Sequence, residues 1–538
     1  MAGSRFQVIA CVGGILSEAL IFCRGEWDIR SAKIARTYLA IQLASVGLLV
    51  ASGTSVVTSV FQVAGLTISY LIGLYGSMIA YRLFFHPLRS FPGPLGARVS
   101  ALWILKQNIP GLTFYRKVPK LHEKYGDFVR TRPRELSICH PDAVIDIHGP
   151  RSKVRKGEFY DQQYPYHTLQ MTRDPVIHRD KRRIWDKAFS MKALQEYEPR
   201  VLEHYQKFFH ILTEHSEART PVNIQHLLEG LGFDISSDLT FGESWNMLGT
   251  GEVAPVLKEF IDYKKTVGYV LMLNWIFHSF KILPGIEERI FHWVNEYSKS
   301  LEKRGKMTSI SADFYTHLSR ADNFDKDGPF DAQLAIIAGS DTVSFTMTNI
   351  MYVFATRPEW QTKLRAELGF TDSSNAQDKI SDQELAANQF LGGFINEVLR
   401  FWPAIPSGLQ RLTPPEGATI AGRFVPGNIN VVIPTYSLHR DERAFLRPKE
   451  LIPERWFSKP ELILRKDSFL PFGYGPYNCT GRPFAYLQLR LLTAMILQRY
   501  DISIPAGKET DIQRYEQEQA DCFVMHLQPL PLLFTQRK

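Results

Sequence analysis

Of the five cysteines in this 538-residue chain (Cys11, Cys23, Cys139, Cys479 and Cys522), one stands in a segment shaped to expose it. The stretch Phe469-Leu-Pro-Phe-Gly-Tyr-Gly-Pro-Tyr-Asn-Cys-Thr-Gly-Arg-Pro-Phe-Ala485 surrounds Cys479 with Gly473, Gly475, Pro476 and Gly481, a composition that bends the backbone into a loop. Arg482-Pro483 then opens a helix, proline being favoured in a first turn. Cys479 therefore falls just ahead of a helix N-terminus, where unpaired amides and the positive dipole end stabilise a thiolate, the form that binds metal. A lone cysteine is more often a buried structural residue, but packing alone does not call for three glycines around it. The other cysteines form no C-x-x-C pair, so neither a disulfide scaffold nor a zinc cluster is indicated.

Three more groups have spacings that chemistry can use. Glu397-Val-Leu-Arg400 puts opposite charges at i and i+3 on one helical face; alone it reads as a surface ion pair worth a few tenths of a kcal/mol. Ala338-Gly-Ser-Asp-Thr342 lies inside a long helical pattern, where Gly339 reduces bulk and Thr342 can either bond back to Ala338 or open the helix ladder locally. His178, Arg182, Arg183 and Lys187 form a basic helical face that alone reads as solvated. No G-x-G-x-x-G and no P-loop marks a nucleotide site, so reducing equivalents must come from another protein.

Together these residues carry a resemblance. Phe472-x-x-Gly475-x-Tyr477-x-Cys479-x-Gly481 resembles the haem-binding loop of the cytochrome P450 family, with Tyr477 standing where the family usually has Arg or His. The resemblance implies haem b with Cys479 as the axial thiolate, a ligand that favours O–O cleavage. It implies that Phe472 borders the haem and that Tyr477, His178, Arg182 and Arg411 meet its propionates; His178 replaces a frequent Trp. Arg455 of Pro453-Glu-Arg-Trp456 would join Glu397 and Arg400 in a structural network. Asp341 and Thr342 would deliver protons to bound oxygen, and the pocket would be lined from Phe159 to Thr172, by Ile336 and Ile337, by Ala404 to Leu409 and around Asp521 to Phe523. Lys181, Arg183 and Lys187 are the alternative docking face for an acidic flavoprotein.

The elements that must position these residues are mostly helical. Apolar spacings of three and four run through Val118–Tyr125, Arg179–Phe189, Glu196–Thr213, Ile224–Leu239, Asp331–Ala355, Glu359–Leu368, Gln383–Phe401 and Phe484–Arg499. Strand patterns are few: Phe128–Thr131, Leu136–Cys139, Thr419–Phe424 and Asn430–Ile433. The fold class is mainly α with small β-sheets, which the resemblance extends to a cytochrome P450 fold over residues 87–538.

Residues 1–86 read as a membrane anchor. No charged side chain occurs between Tyr38 and Tyr81, where ~20 apolar residues suffice for one span. Three segments are expected near 6–23, 38–57 and 60–81; the alternative is one true span after a buried amphipathic segment. Arg24, Arg30, Lys33 and Arg36 in the first loop, with Arg82 and Arg89 after the last span, place the catalytic domain in the cytosol. His86-Pro-Leu-Arg-Ser-Phe-Pro-Gly-Pro94 makes the hinge.

The net charge of +8 fits an anionic membrane surface, and no Lys/Arg stripe suggests nucleic acid. The expected function is an endoplasmic-reticulum monooxygenase that takes electrons from NADPH-cytochrome P450 reductase. It would use O2 to hydroxylate or epoxidise a hydrophobic small molecule, with a fungal secondary metabolite as the subfamily guess. Two rivals stay open: a haem-thiolate isomerase or dehydratase that needs no reductase, and a non-catalytic membrane haem protein.

Overall fold

Helices Met191–Glu217, Ile224–Phe241, Phe324–Thr356, Gln389–Phe401 and Arg482–Arg499 enclose the main core. The computed structural model describes residues 2–271, 273–308, 313–370 and 380–537. Side-chain caps start two of these helices: Ser190 accepts from the Ala193 amide and Asn388 from the Leu391 amide. Phe324–Thr356 is the axis of the domain, a 33-residue helix with most of its residues buried. Its N-terminal turns continue through Pro329, so it begins seven residues earlier than the apolar periodicity predicts.

The expected Gln383–Phe401 helix is two, Asp382–Ala387 and Gln389–Phe401, because Asn388 leaves helical geometry to cap the second. The expected Thr419–Phe424 strand is a hairpin of Ala418–Ile420 with Arg423–Val425, turned by Ala421 and Gly422, both at positive φ. Helices Pro255–Leu271 and Trp293–Gly305 carry no periodicity that the sequence reading used.

The largest sheet has five short strands in the spatial order Phe128–Arg132, Glu135–Ile138, Asn430–Val432, Arg411–Leu412 and Arg155–Lys156. Glu135–Ile138 and Asn430–Val432 run parallel; the other neighbours are antiparallel. The last pairing sets Lys156 directly opposite Arg411. A smaller core of apolar residues, with Leu136, Ile138, Val431 and Ile433 among them, backs this sheet.

Three N-terminal helical segments are long and apolar enough to cross a membrane: Ser4–Phe22, Asp28–Ala51 and Val56–Phe85. The second begins ten residues before its expected start and ends at Ala51, short of residue 57, whereas the third extends beyond both of its expected ends, its helix starting at Val56 where Ser55 caps it. The loop between the first two is tied to the catalytic domain. Arg173 reaches Glu26 at 2.7 and 3.0 Å, Arg134 donates to Gly25 O at 2.7 Å, and Ser31 Oγ donates to Trp275 O at 2.9 Å.

A partly exposed ion pair of this kind contributes ~1 kcal/mol or less. Glu26→Ala is therefore expected to speed tryptic cleavage at Arg24 and Arg30 by about fivefold at most, without loss of the folded domain. Unchanged cleavage would assign the docking of this loop to its other bonds.

Candidate active site

Cys479 follows a tight turn at Gly475–Tyr477 and precedes helix Arg482–Arg499. Gly475 has φ +69°, and a side chain there would collide with His148 O, so both backbone shape and space demand glycine. Gly481 has an ordinary helical-region φ of −75°; its missing side chain leaves room beside Cys479 Sγ and Phe189. The Cys479 amide donates to Phe472 O at 2.8 Å, closing the loop. Burial raises the thiol pKa, while the Gly481 and Arg482 amides and the Arg182 charge oppose it. The helix-end effect is thus present but smaller than the cost of desolvation.

Behind the loop lies a network with no exposed member. Glu397 accepts from Arg400 at 3.0 and 2.8 Å, pairs with Arg455 at 2.8 Å, and accepts from Trp456 Nε1 at 3.0 Å. All three charged side chains are fully buried, so the surface ion pair that Glu397 and Arg400 suggest in isolation is overturned. Arg400 also donates to the carbonyls of His439, Pro448 and Glu450. His439, which sequence motifs do not mark, bridges Arg400 O at Nδ1 (3.0 Å) and the Leu470 amide at Nε2 (2.9 Å). Because the Leu470 amide can only donate, Nε2 is the acceptor and Nδ1 carries the proton. The network therefore ends at the first residues of the cysteine loop.

Cys479 and Thr342 line one cavity of about 550 Å³. Thr342 Oγ1 donates to Ala338 O at 2.8 Å, and the helix stays continuous through this point. The local opening of the ladder allowed by the sequence is absent. Ser340, Ser344, Thr346 and Thr348 make the same backward bond, at 2.7–2.9 Å. The side chain that Gly339 lacks would point at Ser236 Oγ, 3.0 Å away, so this glycine serves helix packing rather than relieving bulk over a cofactor. Asp341 is buried and pairs with Lys264 at 2.7 Å. Burial lowers the Lys264 pKa, but Asp341 outweighs this and the net shift is upward. Lys264 comes from helix Pro255–Leu271, which explains why its role escaped a reading built on periodicity.

At the other end of the cavity are cations and rings. Arg411 is buried and donates to Tyr160 Oη and Gln410 O, both at 2.9 Å, while its Nε has no hydrogen-bond partner. Lys156, buried and unmarked by any motif, donates to Leu169 O and Gln170 O at 2.9 and 2.7 Å. Burial, with Arg411 beside it, drives its pKa down to about 6. Tyr477 packs its ring against His178 at 4.6 Å, with Lys156 Nζ 5.1 Å and Arg411 Cζ 5.2 Å from its centroid. Burial and then the charges of Lys156, Arg182 and Arg411 lower the His178 pKa to about 3, so this ring is neutral. Arg182 donates to Asn478 O at 2.8 Å and Pro476 O at 3.3 Å and pairs with Asp186, which makes it a clamp on the cysteine loop. Lys181 is buried against Asp331 at 2.6 Å and cannot join a docking face; Arg183 and Lys187 are exposed.

Phe159, Ile337, Ala404, Leu409 and Phe523 line the cavity as expected, whereas Ile336 lies in a neighbouring core cluster and Asp521 bonds Ser407. Phe260, Phe277, Phe291 and Trp293 also line it, from a stretch for which the sequence patterns above predict no element.

A thiol at a helix start, a long helix bearing Asp341 and Thr342 beside it, and a buried Glu–Arg–Arg network behind it define a haem-thiolate enzyme fold. The cytochrome P450 family model matches residues 92–534, and the chain belongs to that family. It is 34% identical over 534 residues to the cytochrome P450 monooxygenase nodW of Hypoxylon pulicicidum, covering 98% of each chain. It is 35% identical to the cytochrome P450 monooxygenase phqL of Penicillium fellutanum, over 98% of this chain and 94% of that one. It is 32% identical to the tryprostatin B 6-hydroxylase of Aspergillus fumigatus, over 97% and 95%. The chain is accordingly a cytochrome P450 monooxygenase, a family that works with a haem-thiolate iron, a redox partner, O2 and a hydrophobic substrate.

Burial of neutral His439 has a consequence for pH. Its pKa falls to about 3, first through burial, against ~6.5 for a free histidine. A depressed pKa contributes stability above about 6.5 that is lost progressively as pH falls towards 3. His439→Asn should be less stable at neutral pH, and its stability should fall less steeply between pH 6.5 and 3 than that of the wild type. Thermal midpoints taken across that range test this; parallel slopes would show that His439 takes no part in the acid response.

Proposed function

We propose that this chain is a membrane-anchored monooxygenase that binds haem b through Cys479 and oxidises an apolar, aromatic small molecule of fungal secondary metabolism. The observation that carries the reading is a matched pair of surfaces. Ala338 is exposed in a helix that is otherwise largely buried, and Cys479, surrounded by protein and so desolvated, has its accessible surface at the loop tip; both border the same cavity. A flat group seated there covers both. The unpaired Nε of buried Arg411 fits the carboxylates of that group. Phe472 closes the Cys479 loop through its carbonyl and lends its ring to the same wall.

When bound, thiolate-ligated haem supplies reductive O2 cleavage and insertion of one oxygen atom into a C–H or C=C bond. For hydroxylation the balance is RH + O2 + two electrons + two protons giving ROH + water. The chain's part is to place groups and protons. The Gly481 and Arg482 amides hold the Cys479 sulfur; Arg182 clamps the loop through Pro476 and Asn478; Glu397, Arg400 and Arg455 fix its base through His439. Asp341 and Thr342 would pass protons into the cavity, Asp341 by parting from Lys264 and Thr342 by freeing its hydroxyl from Ala338 O. Phe159 and Phe523, stacked at 5.0 Å, support an aromatic substrate, and one relative is by name a hydroxylase of tryprostatin B.

Residues 1–86 act as the anchor and 87–538 as the catalytic domain. The bonds from Arg134 and Arg173 to Gly25 and Glu26 hold the first loop on the side of the catalytic domain. That arrangement agrees with three spans; the excess of Arg and Lys in this loop and after the last span supports a cytosolic catalytic domain, which we place at the endoplasmic reticulum beside NADPH-cytochrome P450 reductase.

Purified protein should bind one haem, and its ferrous–CO complex should carry the red-shifted thiolate band; Cys479→Ala should abolish that band. A variant with the wild-type spectrum removes Cys479 as ligand. Thr342→Ala should keep haem and substrate binding but lose product by ~100-fold relative to NADPH consumed, with the electrons recovered as hydrogen peroxide. Tight coupling in this variant would leave Thr342 with only its bond to Ala338.

A further inference from the structure

We propose that the loop between the first two anchor helices clasps a seam in the cavity wall, and that its Glu26 and Asp28 are positioning residues that set how fast a bulky guest enters and leaves. This rests on the haem-thiolate reading above and gives the anchor a part in substrate exchange.

Two separate stretches of the catalytic domain meet under this loop. Residues 157–174 supply Phe159, Gln163 and Met171 to the cavity, and helix Asn274–Ser279 supplies Phe277. Asn274 joins them, its side-chain amide donating to Glu158 O at 3.0 Å. The loop bonds to both sides of this seam. On one side Glu26 accepts from Arg173 at 2.7 and 3.0 Å, and Arg173 also donates to Asp161 at 2.6 Å. Arg134, which donates to Gly25 O, pairs with Glu158. On the other side Asp28 bonds the Asn274 side chain, and the turn Asp28–Arg30 packs on helix Asn274–Ser279. Ser31 Oγ and Arg36, from the start of the second span, donate to Trp275 O and Lys281 O.

The clasp is built to open. The Glu26 and Arg173 side chains are 31% and 23% exposed, so salt screens their bond and parting them costs little. The Glu397 network behind Cys479, with its side chains fully buried, has no such freedom. When Glu26 lets go, Arg173 keeps Asp161, so the wall retains its own charge balance and only the tie to the loop is lost. The seam also lies beside the anchor: the second span starts at Ser31, and the neighbouring Trp275, Phe280 and Leu283 are exposed. Apolar surface of this kind marks contact with a membrane, and an apolar guest leaving the bilayer meets this side of the domain. Segments that close over a guest set the rate of its exchange without touching the reacting atoms.

The test uses the full chain in nanodiscs and the bulky neutral azole clotrimazole, whose nitrogen shifts the Soret band when it reaches ferric haem. Stopped-flow mixing gives its association rate, and an equilibrium titration gives its dissociation constant. Glu26→Ala and the isosteric Glu26→Gln should both speed association by about twofold to fivefold, and Glu26→Ala with Asp28→Ala by about tenfold. The dissociation constant should stay within about twofold of the wild type throughout, because an easier opening speeds entry and exit alike. Raising NaCl from about 50 mM to about 500 mM should speed association in the wild type and leave the double variant nearly unchanged. An unchanged association rate in the double variant overturns the proposal, and so does a wild type that does not respond to salt. A dissociation constant that rises as much as the rates change overturns it too, since that marks a deformed cavity. If the double variant fails to fold, the salt response of the wild type and the rates of Glu26→Gln decide. A wild type without the thiolate CO band would instead overturn the haem-thiolate reading itself.

Discussion

The carboxylate of Glu397 is the group on which the rest of the catalytic domain depends. It is fully buried and accepts or pairs with Arg400, Arg455, Trp456 and the Ile452 amide. Removing one partner from such a network leaves a bare charge in a low-dielectric interior, typically at a cost of 3–5 kcal/mol. The arrangement is weak evidence for net stability and strong evidence for a single geometry. Through Arg400 and His439 that geometry is handed to Leu470, and from there to the loop that ends at Cys479. A loop with positive φ at Gly473 and Gly475 needs such backing, because its backbone makes few ladder bonds of its own.

What was legible in the sequence follows from how local the signal is. The helices that carry the network and the long axis were readable because their apolar faces repeat every three or four residues, and their errors lie at ends set by caps such as Asn388 or by a proline inside a helix. Arg455 was found through its own motif and lies where that motif implies. Lys156, Lys264 and His439 were not found. Each owes its role to a partner far along the chain, Lys264 to Asp341 and His439 to Leu470, and nothing in the residues next to them distinguishes a buried lysine from a solvated one. Lys181 shows the same limit from the other direction: it sits in a basic run on a helix, yet it is the one member that turns inward to Asp331.

The cavity has two electrostatic ends. Around Tyr477 the side chains are cationic or neutral, and no carboxylate forms an ion pair with Lys156 or Arg411 among the described residues. Near Thr342 the charges are already matched, Lys264 with Asp341. Between them the lining is apolar and aromatic. An anion is therefore drawn to one end, while the other offers a proton-bearing pair beside a hydrophobic wall.

The backward bonds along the axial helix bear on its mechanics. From Ser340 to Thr348 every second residue carries a hydroxyl that shares a carbonyl already engaged by a backbone amide. A carbonyl with two donors holds each less firmly, and such bonds tend to bend helices. Thr342 and Thr346 bring such bonds to the cavity wall, in a helix whose other side is packed in the core. The wall that faces a guest is therefore built on a helix predisposed to a slight bend at that point.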